Sequence, residues 1–197
     1  MTCALLIIDM QNGFVHPEGS LPGIGLGQPD IEAVLERNAE AIAAARAAGW
    51  PVIYTRHVYR AGMLDRPERM TTILPAGFEL LERGSWDADV HDRLKPEAGD
   101  VIIDKNRFDA FLYTDLEVQL RALGVTTLLV TGVVTSVCVE STVRSGNQRD
   151  FEMFVASDCV SAPVEQHQAA LDMMAAVFAT VLPWREAMAV LAPAAAA

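Results

Sequence analysis

The sequence has few cysteines, and their number and spacing limit what the protein can be. Cys3, Cys138 and Cys159 are the three cysteines in 197 residues, an odd number with no Cys-x-x-Cys pair among them. A disulfide framework and a structural zinc site both need paired or clustered cysteines, so we expect neither. The three thiols are expected to be free.

Basic residues and long apolar runs are also scarce. Lysine and arginine number 15 against 26 acidic residues, which leaves a formal net charge of −11. Such a surface repels phosphate backbones and anionic lipids, so we expect neither nucleic acid nor membrane as a partner. The first apolar stretch, residues 4–8, has no basic segment before it and is too short for a signal peptide or a membrane span. These features predict a cytoplasmic protein.

Apolar residues, by contrast, are abundant and arranged in a regular order. They make up 51% of the chain, and β-rich runs at 4–8, 52–55, 101–103, 127–131 and 151–156 are mostly separated by segments with helical periodicity. This alternation predicts an α/β fold with a mostly parallel sheet. The length suits one domain, which we place at 1–192, followed by an alanine-rich tail at 193–197 that we expect to be disordered.

Helical periodicity and loop composition add detail to this prediction. A first helix is expected over 30–48, ended by Gly49 and Pro51, and a late one over 164–180. Thr114 is the expected N-cap of a helix that runs to Leu123. The loops at 11–29 and 56–81 are rich in glycine, proline and methionine. Loops of that length are uncommon in compact domains unless they cover a site.

Polar residues follow the predicted strands at their carboxyl ends, where ligands bind in an open parallel sheet. Asp9 comes directly after a buried run, so its carboxylate must be solvated, paired or perturbed. Taken alone, Asp9 is equally typical of a cap, and Lys105 is typical of a solvent-facing loop. The polar residues at these ends are Asp9, Arg56, His57, Asp104, Lys105 and Cys138.

Cys138 lies where a β-branched run gives way to a predicted helix. The positive end of the helix dipole and a nearby ammonium would lower the pKa of a thiol in that position. The backbone amides of Val134 and Cys138 could hold the oxyanion of a tetrahedral intermediate. Together with Asp9 and Lys105, Cys138 would satisfy the general requirements of covalent catalysis.

Three segments carry a family resemblance. LLIIDMQNGFV, VIIDKNRFDAF and TGVVTSVCVESTVRSG resemble the signature segments of the isochorismatase-like cysteine hydrolase family, in the right order and over nearly the whole chain. The resemblance implies a three-layer Rossmann-like fold with a six-stranded parallel sheet flanked by helices. It also implies a catalytic triad of Asp9, Lys105 and Cys138, a cis peptide bond between Val133 and Val134, and a homo-oligomer.

The family includes several chemistries, and the residues favour one of them. Relatives that resemble nicotinamidases hold a divalent metal through an Asp-x-His pair after strand two. This chain has Thr55-Arg56-His57 there and no further histidine before His91, so we expect neither a metal nor a cofactor. Relatives that cleave the vinyl ether of isochorismate lack the nucleophilic cysteine, which this chain has.

We therefore expect a cysteine hydrolase that cleaves an amide, ureido or carbamoyl C–N bond through a thioester and releases ammonia or an amine. The segments RGSWDADVHDRLKPEAGD and CVEST resemble the branch acting on ureidoacrylate, biuret and N-carbamoyl compounds. A vinyl ether hydrolase and a nicotinamidase-like amidase without the usual metal stay open as alternatives.

The expected partner is a small-molecule amide or ureido substrate in a pocket. His57, Tyr59 and Phe108 stand where ureidoacrylate hydrolases carry Asn, Trp and Tyr, which leaves the substrate open. The segment GIGLGQ at 23–28 does not follow the first strand directly, so a dinucleotide site is not expected. A catalytically silent binding protein of the same fold is not excluded. The residues expected to line the pocket are Gln11, Phe14, His57, Tyr59, Phe108 and Phe111.

Overall fold

The computed structural model describes residues 2–192, so the tail expected at 193–197 lies outside the described residues. Six parallel strands form one sheet in the order β3-β2-β1-β4-β5-β6. This arrangement confirms the predicted fold class. The strands are β1 (Cys3–Ile8), β2 (Val52–His57), β3 (Val101–Lys105), β4 (Thr127–Val133), β5 (Glu152–Ser161) and β6 (Thr180–Leu182).

Helices cover both faces of the sheet. Side chains of β1 alternate between the two faces, with Leu5 and Ile7 in one core and Leu6 and Ile8 in the other. None of the helices within residues 2–192 has the length and hydrophobicity to cross a bilayer. The helices are α1 (Asn12–Val15), α2 (Ser20–Gly23), α3 (Ile31–Ala47), α4 (Glu68–Ile73), α5 (Leu116–Ala122), α6 (Glu140–Asn147), α7 (Val164–Met173) and α8 (Trp184–Leu191).

Shorter turns connect these elements. Helices α3 and α8 pack on the first core, while α5, α6 and α7 pack on the second. The two long predicted loops contain α1, α2 and α4 rather than irregular chain alone. The 3-10 turns are Ala61–Met63, Trp86–Ala88 and Asp92–Leu94, and the π-helical turns are Thr135–Val139 and Met174–Phe178.

Two helix predictions need correction. The late helix expected over 164–180 ends earlier, because α7 passes into a π-helical turn and Thr180 already belongs to β6. The helix expected to have Thr114 as its N-cap begins at Leu116, and Asp115 takes the cap position. Thr114 still contributes, since its hydroxyl accepts a hydrogen bond from the Leu116 amide at 3.2 Å and donates to the Ala110 carbonyl.

Gly132 allows β1 and β4 to come close at their carboxyl ends. Its φ is +107°, and a Cβ placed there would lie 2.1 Å from the carbonyl oxygen of Ile8. Any side chain would therefore clash with backbone, and L-residues rarely adopt this φ. The close approach brings the segment after β4 towards Asp9, at the point where the strand order reverses. Ligands bind at such reversal points in open α/β sheets.

Candidate active site

A buried ion pair forms the base of the site. The Asp9 carboxylate accepts a hydrogen bond from Lys105 Nζ at 2.6 Å and one from Thr55 Oγ1 at 2.6 Å. The side chains of Asp9 and Lys105 are both 0% exposed. A buried ion pair is tolerable only where further hydrogen bonds satisfy its remaining donors and acceptors. Here Thr55 supplies the second bond to the carboxylate.

Strand register explains why these side chains meet. Lys105 on β3 lies beside His57 on β2, and the Asp9 amide donates to Thr55 on the same strand. Thr55 and His57 are two residues apart, so their side chains leave β2 on the same face. The Lys105 ammonium also donates to the Arg107 carbonyl at 3.1 Å and approaches His57 Nδ1 at 3.4 Å.

Cys138 lies above this pair. It belongs to the π-helical turn before α6 and is 2% exposed. The turn follows a cis peptide bond between Val133 and Val134. The π-helical turn is held by the Val134 carbonyl, which accepts hydrogen bonds from the amides of Val137 and Val139. The Cys138 sulfur, a carboxylate oxygen of Asp9 and a ring nitrogen of His57 lie within 4.8 Å of one another.

The charge state of the thiol differs from the expectation. Burial raises the pKa of Cys138 to about 12, because the opposing effect of the Lys105 ammonium is smaller and the Asp9 carboxylate raises the pKa further. The prediction of a lowered pKa is therefore wrong, since it considered the helix dipole and the ammonium but not the loss of hydration. The resting thiol holds its proton at neutral pH and must lose it when it attacks.

Lys105 and His57 respond to burial in different ways. Burial lowers the pKa of Lys105, but the charge of Asp9, the charge of the Cys138 thiolate once it forms and the hydrogen bonds to both residues outweigh burial and raise it. Burial, followed by the positive charges of Lys105 and Arg107, holds the pKa of His57 well below its usual value. The site therefore contains a charged lysine beside a neutral imidazole at pH 7.

A cavity of about 610 Å³ opens beside Cys138. That volume is in the range of small-molecule sites. Asp9 and Lys105 lie behind the thiol and do not line the cavity. Of the residues expected to form the pocket, those that line it are Phe14, His57, Tyr59 and Phe108.

Gln11 and Phe111, which were also expected to line the pocket, do not. The Gln11 side chain donates to the carbonyls of His57 and Ala88 and accepts from the His57 amide at 2.7 Å, so it fixes the backbone of β2. Phe111 packs in the second core against Phe151, with ring centroids 5.7 Å apart. Both residues support the site from outside the cavity.

The donor set could in principle hold a metal. In the sequence, metal ligands are missing from the segment after β2, whereas the fold brings Asp9, His57 and Cys138 together from three places in the chain. A carboxylate, an imidazole and a thiolate suit zinc. However, the Lys105 ammonium already occupies Asp9 Oδ2 and contacts His57 Nδ1. Its positive charge opposes a second cation at this position, so a resident metal does not fit the site as it is arranged.

Sequence reasoning missed several residues of the site. Thr55 stands where metal-binding relatives have an aspartate, but its hydroxyl donates to Asp9, and its position two residues before His57 is the signal for this in the sequence. The lining also includes residues from the glycine-rich segment at 23–28 and from α4. The lengths of the two loops indicate that these segments cover a site, but not which of their residues face it. The segment contributes Gly25, Leu26, Gly27 and Gln28, α4 contributes Arg69, Met70 and Ile73, and Leu74 directly after α4 also lines the cavity.

Comparisons with known proteins agree on a family. Residues 3–186 match the family model described as the isochorismatase domain. The chain is 38% identical over 185 residues to the ureidoacrylate amidohydrolase of Methylobacterium radiotolerans, covering 86% of this chain and 72% of that protein. It is 35% identical over 190 residues to the ureidoacrylate amidohydrolase of Serratia proteamaculans, covering 85% and 74%.

Solved structures show the same architecture. A cysteine hydrolase from Pseudomonas syringae pv. phaseolicola superposes with a TM-score of 0.86 at 31% identity, covering 95% of this chain and 91% of that chain. The N-carbamoylsarcosine amidase of Thermoplasma acidophilum has a TM-score of 0.79 at 28% identity, with coverage of 93% and 97%. Both likenesses extend over nearly the whole of each chain.

Proposed function

The chain belongs to the isochorismatase domain family, and from this premise we propose that it is a cysteine hydrolase that cleaves a C–N bond of a small amide, ureido or carbamoyl compound. The observation that supports this proposal most is the buried Asp9–Lys105 pair, with the Cys138 sulfur and an Asp9 oxygen within 4.8 Å. Relatives named as ureidoacrylate amidohydrolases and a neighbour named as N-carbamoylsarcosine amidase support the same bond type.

In the proposed first half-reaction, Cys138 attacks the substrate carbonyl while its proton passes to Asp9. The raised pKa of the thiol makes a base necessary, and Asp9 is the carboxylate within reach. The carbonyl oxygen becomes an oxyanion that the amides of Val134 and Cys138 stabilise. The C–N bond then breaks, the proton on Asp9 passes to the nitrogen, and ammonia or an amine leaves a thioester on Cys138.

In the second half-reaction, a water molecule attacks the thioester as Asp9 takes its proton. The C–S bond breaks, and the sulfur recovers that proton from Asp9, so the enzyme returns to its starting state. Lys105 keeps its charge throughout. Its role is to stabilise the Asp9 carboxylate and the negative charge that develops on sulfur.

Ammonia release from a substrate panel tests the proposal. The panel contains ureidoacrylate-like, biuret-like, carbamoyl-amino-acid and aliphatic amide compounds, each assayed with the wild-type protein, Cys138→Ala and Cys159→Ala. We expect turnover of at least one compound by the wild type and by Cys159→Ala, and none by Cys138→Ala. Cys159 is the matched control because it is also buried, but it lies outside the site. Wild-type rates in Cys138→Ala would refute the covalent mechanism.

The same proposal extends to the setting in which the enzyme works. We place it in the cytoplasm as one domain that forms a homo-oligomer. The three free thiols support a reducing compartment. Exposed apolar side chains at Val164, Val177 and Val190 support contact between copies. Light scattering of the purified protein would show a single monomeric mass if the oligomer is wrong.

A further inference from the structure

The walls of the cavity beside Cys138 are mainly hydrocarbon. Aromatic and aliphatic side chains from the loop after β1, from α4 and from the turn before α6 face it, among them Phe14, Leu21, Met70 and Val137. Of the described residues that line the cavity, Arg69 alone carries a permanent charge, and that residue is exposed. A carboxylate placed against such walls would lose its hydration without gaining a buried partner.

Two side-chain atoms on this wall, Gln28 Oε1 and His57 Nε2, have no hydrogen-bond partner within residues 2–192, and His57 is the residue of the two that is buried. His57 lines the cavity and is 2% exposed, and its Nε2 atom has no hydrogen-bond partner among residues 2–192. The ammonium of Lys105 can only donate, so His57 Nδ1 is the acceptor in a hydrogen bond across their 3.4 Å contact. A neutral imidazole carries one N–H, which then lies on Nε2. A buried donor without an acceptor is costly unless a ligand supplies one.

We propose that the cavity takes an uncharged substrate, an amide or ureido group attached to an apolar body, and that His57 donates its Nε2–H to an oxygen of that substrate. This inference rests on the proposed function, because it names the substrate class of the same site. Burial and the neighbouring charges of Lys105 and Arg107 keep the pKa of His57 low, so the ring offers a neutral donor. It therefore offers no positive charge to a carboxylate.

Calorimetric binding to the Cys138→Ala protein tests the substrate class without turnover. Phenylurea and 4-ureidobenzoate share one shape and differ by a carboxylate. We expect phenylurea to bind at least about tenfold more tightly, because burying the carboxylate without a partner is unfavourable. Equal or tighter binding of 4-ureidobenzoate, weakened by Arg69→Met, would show that Arg69 recruits an acid and would overturn the inference.

The two proposals fail in different ways. Binding of phenylurea in this assay, with no ammonia released from any compound by the wild type, contradicts the proposed function and leaves the substrate class standing. Binding of neither compound overturns the substrate class, even where the wild type hydrolyses another amide.

The role of His57 has its own test. His57→Phe keeps a ring but removes the donor, so phenylurea should bind about tenfold more weakly, and His57→Asn, which restores an N–H, should recover part of that loss. Nitrogen NMR of the wild-type imidazole gives a readout that does not depend on a variant folding. We expect the proton on Nε2, with its signal shifted by phenylurea. A proton on Nδ1, or unchanged binding in His57→Phe, would overturn the assignment.

Discussion

Asp9 shows how single residues make a charged group tolerable in a dry interior. Its two oxygens accept from Lys105 and Thr55, at 2.6 Å in each case, so the carboxylate exchanges water for two fixed donors. Removing one partner of such a group leaves part of it buried and unsatisfied, which costs more than the net energy of an average hydrogen bond. Thr55 is therefore as much a part of the site as the ion pair.

Replacing Thr55 with valine should separate this role from simple packing. The change keeps shape but removes the donor to Asp9, and we expect it to lower the free energy of unfolding by about 1–3 kcal/mol. We also expect kcat to fall about tenfold, because the carboxylate would lose its orientation. Urea denaturation and steady-state kinetics are the measurements.

Thr131→Val is the matched control for that prediction. Thr131 is fully buried in β4, and its hydroxyl has no hydrogen-bond partner within residues 2–192. Its replacement should leave stability unchanged or improved. Equal losses in the Thr55 and Thr131 variants would contradict a specific role for Thr55.

The arrangement of Asp9, His57 and Cys138 also makes a prediction about metals. The Lys105 ammonium occupies the position that a metal ion would need beside Asp9 and His57. Turnover should therefore survive exhaustive dialysis against EDTA, and metal analysis should find no stoichiometric zinc, iron or manganese. Loss of activity with EDTA that metal restores would reverse this interpretation.

At the scale of elements, the sequence predicts five of the six strands and misses β6. Buried strands such as β1 are continuous apolar runs because both faces are covered, so composition alone identifies them. Strand β6 has three partly exposed residues and lies at the sheet edge, where no such run is required. The predicted late helix extended into β6 because the helical periodicity of its sequence does not mark the turn at Met174–Phe178.

The site divides in the same way. Asp9 and Cys138 follow strands in the chain and Lys105 ends one, so the carboxyl-end rule and the family resemblance indicate them. Gln11 and Phe111 also lie near strand ends, but whether their side chains face the cavity depends on packing that periodicity does not determine. The pKa of Cys138 could not be predicted either, since burial at that position depends on the whole fold.

Gly132 gives the prediction that belongs to the element scale. Gly132→Ala places a Cβ against the Ile8 carbonyl and requires a φ that alanine rarely adopts. We expect a loss of about 3 kcal/mol or more in the free energy of unfolding, with the ends of β1 and β4 forced apart. Activity should fall in the folded fraction as well, because that separation moves Cys138 from Asp9.

Gly49→Ala serves as the comparison. Gly49 also has a positive φ, +72°, but a Cβ there would meet nothing within 4 Å. The Gly49→Ala variant should therefore lose less free energy of unfolding, about 1 kcal/mol, and should keep the wild-type kcat. Thermal melts of both variants would contradict the close-approach argument if the two midpoints fell equally.

At the scale of the whole molecule, charge and cavity favour the same kind of ligand. A formal net charge of −11 surrounds a cavity whose walls are mainly hydrocarbon. The summed field of such a surface slows the approach of anions and leaves neutral molecules unaffected. An anionic substrate would therefore meet two barriers, one during approach and one on burial.

Ionic strength separates these two barriers. The Debye length shortens from about 30 Å at 0.01 M to about 8 Å at 0.15 M salt, so salt screens the approach but hardly changes burial. We expect kcat/KM for a neutral ureido substrate to stay constant over that range. For its carboxylated counterpart kcat/KM should rise several-fold with salt, because screening removes the repulsion during approach, yet stay below the neutral value. Stopped-flow or steady-state ammonia assays at matched pH provide the measurement. The opposite result, a carboxylated substrate that reacts faster at low salt than at high salt, would contradict this expectation. It would mean that a local positive charge dominates the field at the cavity despite the acidity of the whole surface, and exposed Arg69 would be the first candidate.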